Sequence, residues 1–173
     1  ALLEDDGTVI LKGAALKSRG LEPFLRDFLR EWLTLTLHGR AEEIPALFAR
    51  ARAEIAGRKL PVAALAKTEM LTDSPATYLK KREAGGKSRQ PAYEVALASG
   101  REFQAGDAVA YYVTGDKKNV PVHAHAKLAA AFDPAHRDEN VAYYLAKLDA
   151  LAKKLDAHAP ETPESEDDQP TLF

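Results

Sequence analysis

The sequence predicts an α+β fold, mostly helical, with a β-hairpin at its start. Three observations predict it. First, apolar residues recur at helical spacing in three stretches: Phe24, Leu25, Phe28, Leu29, Trp32 and Leu33; Ile44, Leu47, Phe48, Ala51 and Ile55; and Val141, Tyr144, Leu145, Leu148, Leu151 and Leu155. Second, Asp6-Gly7 lies between the short apolar runs "ALL" and "TVIL", a strong turn signal between two strands. Third, Val109, Tyr111 and Val113 alternate with Ala108, Ala110 and Tyr112, the period of a strand.

In chain order, residues 1–11 read as the hairpin. A lone hairpin is marginal in water, so its two strands are expected to complete a sheet whose other strands are missing or paired elsewhere. Residues 21–38 read as a helix, with Pro23 in the first turn and Gly39 as its stop. A second helix is expected from about Ala41 to Ala56, closed by Gly57. Arg40, Arg50, Arg52, Arg58 and Lys59 decorate this pair, and a solvated face accounts for them. "LPVAALAKTEML" reads as a short turn leading into an extended run. "DSPATYLKKREAGG" reads as a short helix with Ser74 as N-cap and Pro75 at the first position. "GGKSRQ" is a basic loop, and "AYEVALASG" fits either a strand or a helix. "QAGDAVAYYVTG" is a turn followed by a strand, and a last helix spans roughly Glu139 to Ala157.

The chain has 173 residues, 46% of them apolar and 29% charged, enough for one domain or one and a half. It has no cysteine, which excludes a disulfide framework and thiolate metal sites. No apolar run approaches the length of a membrane span, and Glu4, Asp5 and Asp6 stand where a signal peptide would be basic. A soluble protein of the cytoplasm is the expectation. The chain begins at Ala1, which fits either the cut end of a longer chain or a processed N-terminus. The net charge of −2 hides an asymmetry. Residues 12–101 hold 17 Lys and Arg against 10 Asp and Glu, whereas residues 156–173 hold 6 acids and no Lys or Arg. A basic body with an acidic tail suits a nucleic-acid protein. The tail "APETPESEDDQPTLF" is Pro-rich and acidic, expected to be disordered, and ends on two apolar residues like a short linear binding motif.

Enzymatic chemistry is not evident in the residues. There is no glycine-rich phosphate loop, no His-Glu-x-x-His helix and no Ser/His/Asp arrangement in a recognisable context. His123 and His125 would share a face if they lay on a strand, but no acidic or cysteine cluster accompanies them, so surface histidines are the better reading. Asp5 and Asp6 are explained by turn chemistry. The residues alone describe a binding module.

Four stretches in this order resemble the C-terminal end of a family B DNA polymerase: the last strands of the palm, then the whole thumb. In "GTVILKGAALKSRGLEPF", Lys12-Gly13 and Arg19 match the family's Lys-Gly and the second arginine of its Arg-Arg-Asp. Ser18 and Gly20 replace the other two positions, and Lys17 supplies a neighbouring charge. "KLPVAALAKTEMLTDSPATYLKK" is similar to the family's Thr/Lys-rich run, Asp and Tyr-bearing helix. "PAYEVALASGREFQAGDAVAYYVTG" is similar to its Pro-His-x-x-Val-Ala, Gly-Asp turn and Tyr-rich strand, with Ala92 where the family commonly has His. "FDPAHRDENVAYYLAKLDAL" is similar to its Asp-x-x-Tyr-Tyr and following helix, with Asn140 in place of the aspartate. The last five residues, Gln169 to Phe173, resemble the Gln-x-x-Leu-Phe peptide by which bacterial polymerases dock on the sliding clamp.

The resemblance implies three parts: a palm hairpin and palm–thumb junction (1–20), a thumb (21–158), and an acidic tail ending in a clamp motif (159–173). It implies that the chain grips primer–template duplex through sequence-neutral phosphate contacts. The expected DNA-binding residues are Lys12, Gly13, Lys17, Ser18 and Arg19, then Lys67, Thr68, Lys87, Ser88 and Arg89. Gln169, Leu172 and Phe173 are expected to bind the clamp. The catalytic aspartates and their Mg2+ belong to the palm upstream, so no catalytic or metal-binding residue is expected in this chain, and its partners would be palm, fingers and exonuclease. A stand-alone nucleic-acid-binding accessory protein, the small subunit of a split polymerase, and a helical adaptor that does not touch DNA are the alternatives.

Overall fold

The computed structural model of the protein describes residues 20–86 and 88–156 and, by backbone alone, residues 2–3 and 9–10. The fold is α+β and mostly helical, as the apolar periodicities require. Strand β1 (Leu2–Leu3) pairs antiparallel with β2 (Val9–Ile10), Leu2 opposite Ile10 and Leu3 opposite Val9. The hairpin is therefore present; the expected turn at Asp6-Gly7 falls outside the described residues.

Helix α1 (Pro23–Leu37) buries Phe24, Leu25, Phe28, Leu29 and Trp32 on one face. After a short 3-10 turn, α2 (Ile44–Ala56) packs on it through Leu47 and Ile55. Helix α7 (Val141–Asp156) completes this bundle, with Tyr144 and Leu148 buried against the same cluster. Each of the first two helices closes with a pair of reversed hydrogen bonds. At the end of α1, Gly39 at φ +68° occupies the left-handed position, and the Arg40 N–H reaches the Leu35 carbonyl at 2.8 Å. At the end of α2 the expected stop at Gly57 is displaced by one residue. Gly57 has an ordinary φ of −81°, and Arg58 takes the left-handed φ of 53°. The Arg58 side chain explains the exchange: its guanidinium reaches the Glu139 carboxylate at 2.9 Å, and Glu139 is almost wholly buried.

A short helix α3 (Val62–Leu65) leads into β3 (Lys67–Met70). Helix α4 (Pro75–Glu83) starts where the capping signal placed it, with the Ser74 hydroxyl accepting the Thr77 N–H at 3.2 Å. The stretch that fitted either a strand or a helix is helix α5 (Pro91–Ala98). Its buried residues Ala92, Tyr93, Val95 and Ala96 follow helical spacing, so packing against the sheet decides its conformation. Strand β4 (Ala108–Val113) is the middle of a three-stranded antiparallel sheet in the order β3-β4-β5, where β5 is Ala126–Leu128. Histidines 123 and 125 do not share a strand face. They lie on the single turn of α6 (Val122–His125), which Pro121 opens just before β5.

Strand β4 joins two cores. Val109 and Tyr111 pack with Tyr78, Tyr93 and Val95 of the α4–α5 layer, whereas Val113 belongs to the helical bundle. The polar side of that first layer is also tied down. Tyr78 and Tyr93 stack at 4.2 Å between ring centres, and the Tyr93 hydroxyl accepts the N–H groups of Thr72 and Asp73.

Candidate nucleic-acid interface

The sheet presents a cavity of about 210 Å3 where β3, β4, the start of α5 and α7 meet the turn before α1. Register explains which side chains face it. Lys67 lies opposite Tyr111 and Glu69 opposite Val109, so Lys67, Glu69, Tyr111 and Val113 share one face of the sheet. The Tyr111 hydroxyl donates to Glu69 at 2.7 Å, and Lys67 pairs with the same carboxylate at 2.7 Å. Across the cavity Lys147 reaches Glu22 at 3.2 Å and lies 5.3 Å from the centre of the Tyr143 ring. Glu22 precedes α1 and could have capped it. Its side chain accepts no N–H there and is instead buried against Lys147.

The electrostatics follow from this pairing. Burial works against the Lys147 ammonium, but Glu22 and Tyr143 outweigh it and raise the Lys147 pKa. Burial raises the Tyr143 phenol, with Glu22 adding to it, and burial together with Glu69 holds the Tyr111 phenol far above its usual range. Both phenols are therefore neutral at physiological pH. Lys67 and Lys147 face Glu69 and Glu22, so the interior is charge-balanced and has no surplus cation to hold an anion. What the cavity does is fix three separate stretches of chain against one another: the turn after residue 19, the start of β3, and the start of α5 at Pro91.

Of the sequence-predicted DNA-binding residues, Lys12, Gly13, Lys17, Ser18, Arg19 and Lys87 lie outside the described residues, as do Gln169, Leu172 and Phe173. Lys67 stands on the cavity face with its side chain 30% exposed. Thr68 does not join it. The alternation of β3 turns Thr68 to the opposite face of the sheet, beside Ala110, where it is exposed together with Met70. Ser88 and Arg89 are exposed and belong to a loop secured at both ends. Gly85, at φ +78°, and Gly86 close α4 with the reversed hydrogen bonds already seen on α1, and the Gln90 N–H donates to the buried Tyr78 hydroxyl at 2.9 Å.

The arginines of the helical pair take a different part. Arg30 pairs with Asp27, Arg40 with Glu43, Arg50 with Glu31, Arg52 with Asp149 and Arg58 with Glu139. Each of these five has a carboxylate partner, in keeping with a solvated face. Sequence reasoning did not single out Glu22, Tyr111 or Lys147. A glutamate immediately before the proline of a helix that is otherwise strongly apolar was the available signal for Glu22. Both tyrosines of the pair line the cavity, and Tyr144 is also buried against Phe24.

Among the described residues no group of three or more His, Cys, Asp and Glu side chains converges to hold a metal ion. Among them, too, no helix is long and apolar enough to cross a membrane. No protein-family model matches the chain, and a search of curated proteins finds no match.

Proposed function

We propose that this chain is the thumb part of a family B DNA-directed DNA polymerase. It grips primer–template duplex through phosphate contacts and is tethered to a bacterial sliding clamp by Gln169, Leu172 and Phe173. It contributes to nucleotidyl transfer only within the full enzyme, in the cytoplasm at the nucleoid, with the metal-dependent chemistry supplied by the palm. The observation that carries this reading is the convergence at the cavity. Glu22, in the turn before α1, lines it. The strand bearing Lys67 and the loop bearing Ser88 and Arg89 end on the same walls, at Lys67 and Pro91. Lys67 and the start of α5, next to the loop that carries Ser88 and Arg89, thus meet at one cavity, and a backbone-tracking surface needs basic residues gathered in this way.

The test is the affinity of the chain for a fluorescent primer–template duplex, read by anisotropy across a salt series. Tight binding at low salt that weakens steeply with added salt is expected. Lys12→Ala, Lys17→Ala and Arg19→Ala combined should flatten the logarithmic salt slope by up to about 2.7, at ~0.9 per lost phosphate contact. A chain indifferent to DNA, alone and after addition of the remaining polymerase domains, would sink the reading in favour of a helical adaptor.

A further inference from the structure

A second concavity lies away from the cavity, between α1, α2 and α7. It is an apolar groove of about 430 Å3 floored by Phe28, Trp32, Ile44, Phe48 and Ala152. Arg52 and Lys153 stand at its rim. Arg52 lies over the Phe48 ring and is paired with Asp149, whereas Lys153 is exposed and makes no ion pair with another described residue. The rim also includes Asp156, the last residue of α7, so the chain continues into its acidic tail directly from the edge of the groove.

We propose that Leu172 and Phe173 dock in this groove on their own chain. Three points on the tail's side select it as occupant. Beyond prolines and two alanines, Leu172 and Phe173 are its only apolar residues, and they stand together at its end. About 16 residues separate them from Asp156; as a flexible chain these span roughly 22 Å, ample to return to a groove that begins at the tether's origin. Five acids between them and the helix complement Lys153 at the rim, unpaired among the described residues. Tethering of this kind gives an effective concentration on the order of millimolar, enough to populate a contact too weak to survive between separate molecules. The docked and clamp-bound tails then exclude each other, because both use the same two side chains. That consequence rests on the function proposed above; the docking does not.

Trp32 is the only tryptophan, so its indole N–H gives a single resonance that reports on the groove floor in an 15N-labelled full-length chain. Leu172→Ala with Phe173→Ala should shift that resonance, and Lys153→Glu should shift it part of the way. Free peptide Gln-Pro-Thr-Leu-Phe added at millimolar concentration to a chain ending at Asp168 should restore the wild-type position. Superimposable wild-type and double-variant resonances would overturn the docking. A shift that fades on dilution would overturn it in favour of a second copy's tail. Adding the bacterial clamp should move the wild-type resonance to the double variant's position. Clamp binding without that movement overturns the exclusion, whereas a clamp that does not bind while the variant shift persists removes the clamp from the proposed function and leaves the docking standing.

Discussion

The buried hydroxyl of Tyr144 accepts the backbone N–H of Val113 at 2.8 Å, joining the first turn of α7 to the last residue of β4. Val113 ends a strand, and its N–H has this phenol as partner where a further strand could have stood. Tyr144→Phe keeps the ring packed on Phe24 and removes only the acceptor. An N–H left without a partner in the interior costs about 1–3 kcal/mol. Thermal unfolding should show it as a lower Tm, by about 2–4 °C per kcal/mol for a chain of this size. An unchanged Tm would mean that the bond contributes nothing net.

Asn140 explains why an amide stands where the resemblance has an aspartate. Its Oδ1 accepts the Tyr143 N–H at 2.9 Å and caps α7, a task a carboxylate would perform as well. Its Nδ2, however, donates to the carbonyls of Thr114 and Lys117 at 3.2 and 2.9 Å, and the residue is fully buried. A carboxylate cannot donate to two carbonyls. Asn140→Asp should therefore destabilise the fold by more than the about 1–3 kcal/mol of a neutral unsatisfied group. Denaturant titration at neutral pH, with Asn140→Ala alongside, measures it; an Asp variant more stable than the Ala variant would contradict this account.

Acid should reach the α4–α5 layer through Glu94. Burial works against its charged form, but hydrogen bonds from Arg82 at 2.5 Å and Tyr78 at 2.8 Å prevail and hold its carboxyl below the ordinary 4.5. A carboxyl whose pKa is depressed in the fold stabilises it above the unfolded-state pKa. That contribution is lost as pH falls through the folded value. Wild type should thus exceed Glu94→Gln in Tm at neutral pH, and the difference should shrink below pH ~4.5. A difference independent of pH would remove the charged pair from the explanation.

Basic side chains should also separate by surface in DNA binding. Lys67→Ala and Arg89→Ala lie on the side where the cavity gathers the chain, and each should weaken duplex binding and lower the salt slope by up to about 0.9. Arg50→Ala, on the α1–α2 surface and outside the lining of that cavity, should change neither. Equal losses at all three positions would point to diffuse attraction, not to a defined face.

Most of the fold was legible in the sequence because its signals are local. The stripe from Phe24 to Leu33, the Ser74-Pro75 cap and the alternation through Tyr111 each need only a few neighbouring residues to be read. What was not legible depends on residues far apart. Residues 91–98 satisfy both periods, and only packing of Ala92 and Ala96 against the sheet favours the helix. The left-handed residue after α2 is Arg58 instead of Gly57 because Glu139 lies within its reach. Lys67 and Thr68 looked like one pair of contacts, but the pleat sends them to opposite faces. Of the site, only Lys67 was legible. Its carboxylates and phenols come from segments that nothing in the local pattern connects.

The pair between Glu22 and Lys147 joins the turn before the first long helix to the middle of the last one. A ribosome delivering this chain must release everything from Glu22 to Lys147 before that bond can close. A nascent chain arrested before Val141 would hold the Lys67 strand and its partner β4, yet lack one entire wall of the cavity and leave Glu22 without its ammonium. The cavity is thus completed only once the last described helix has formed, although most of its lining comes from earlier in the chain.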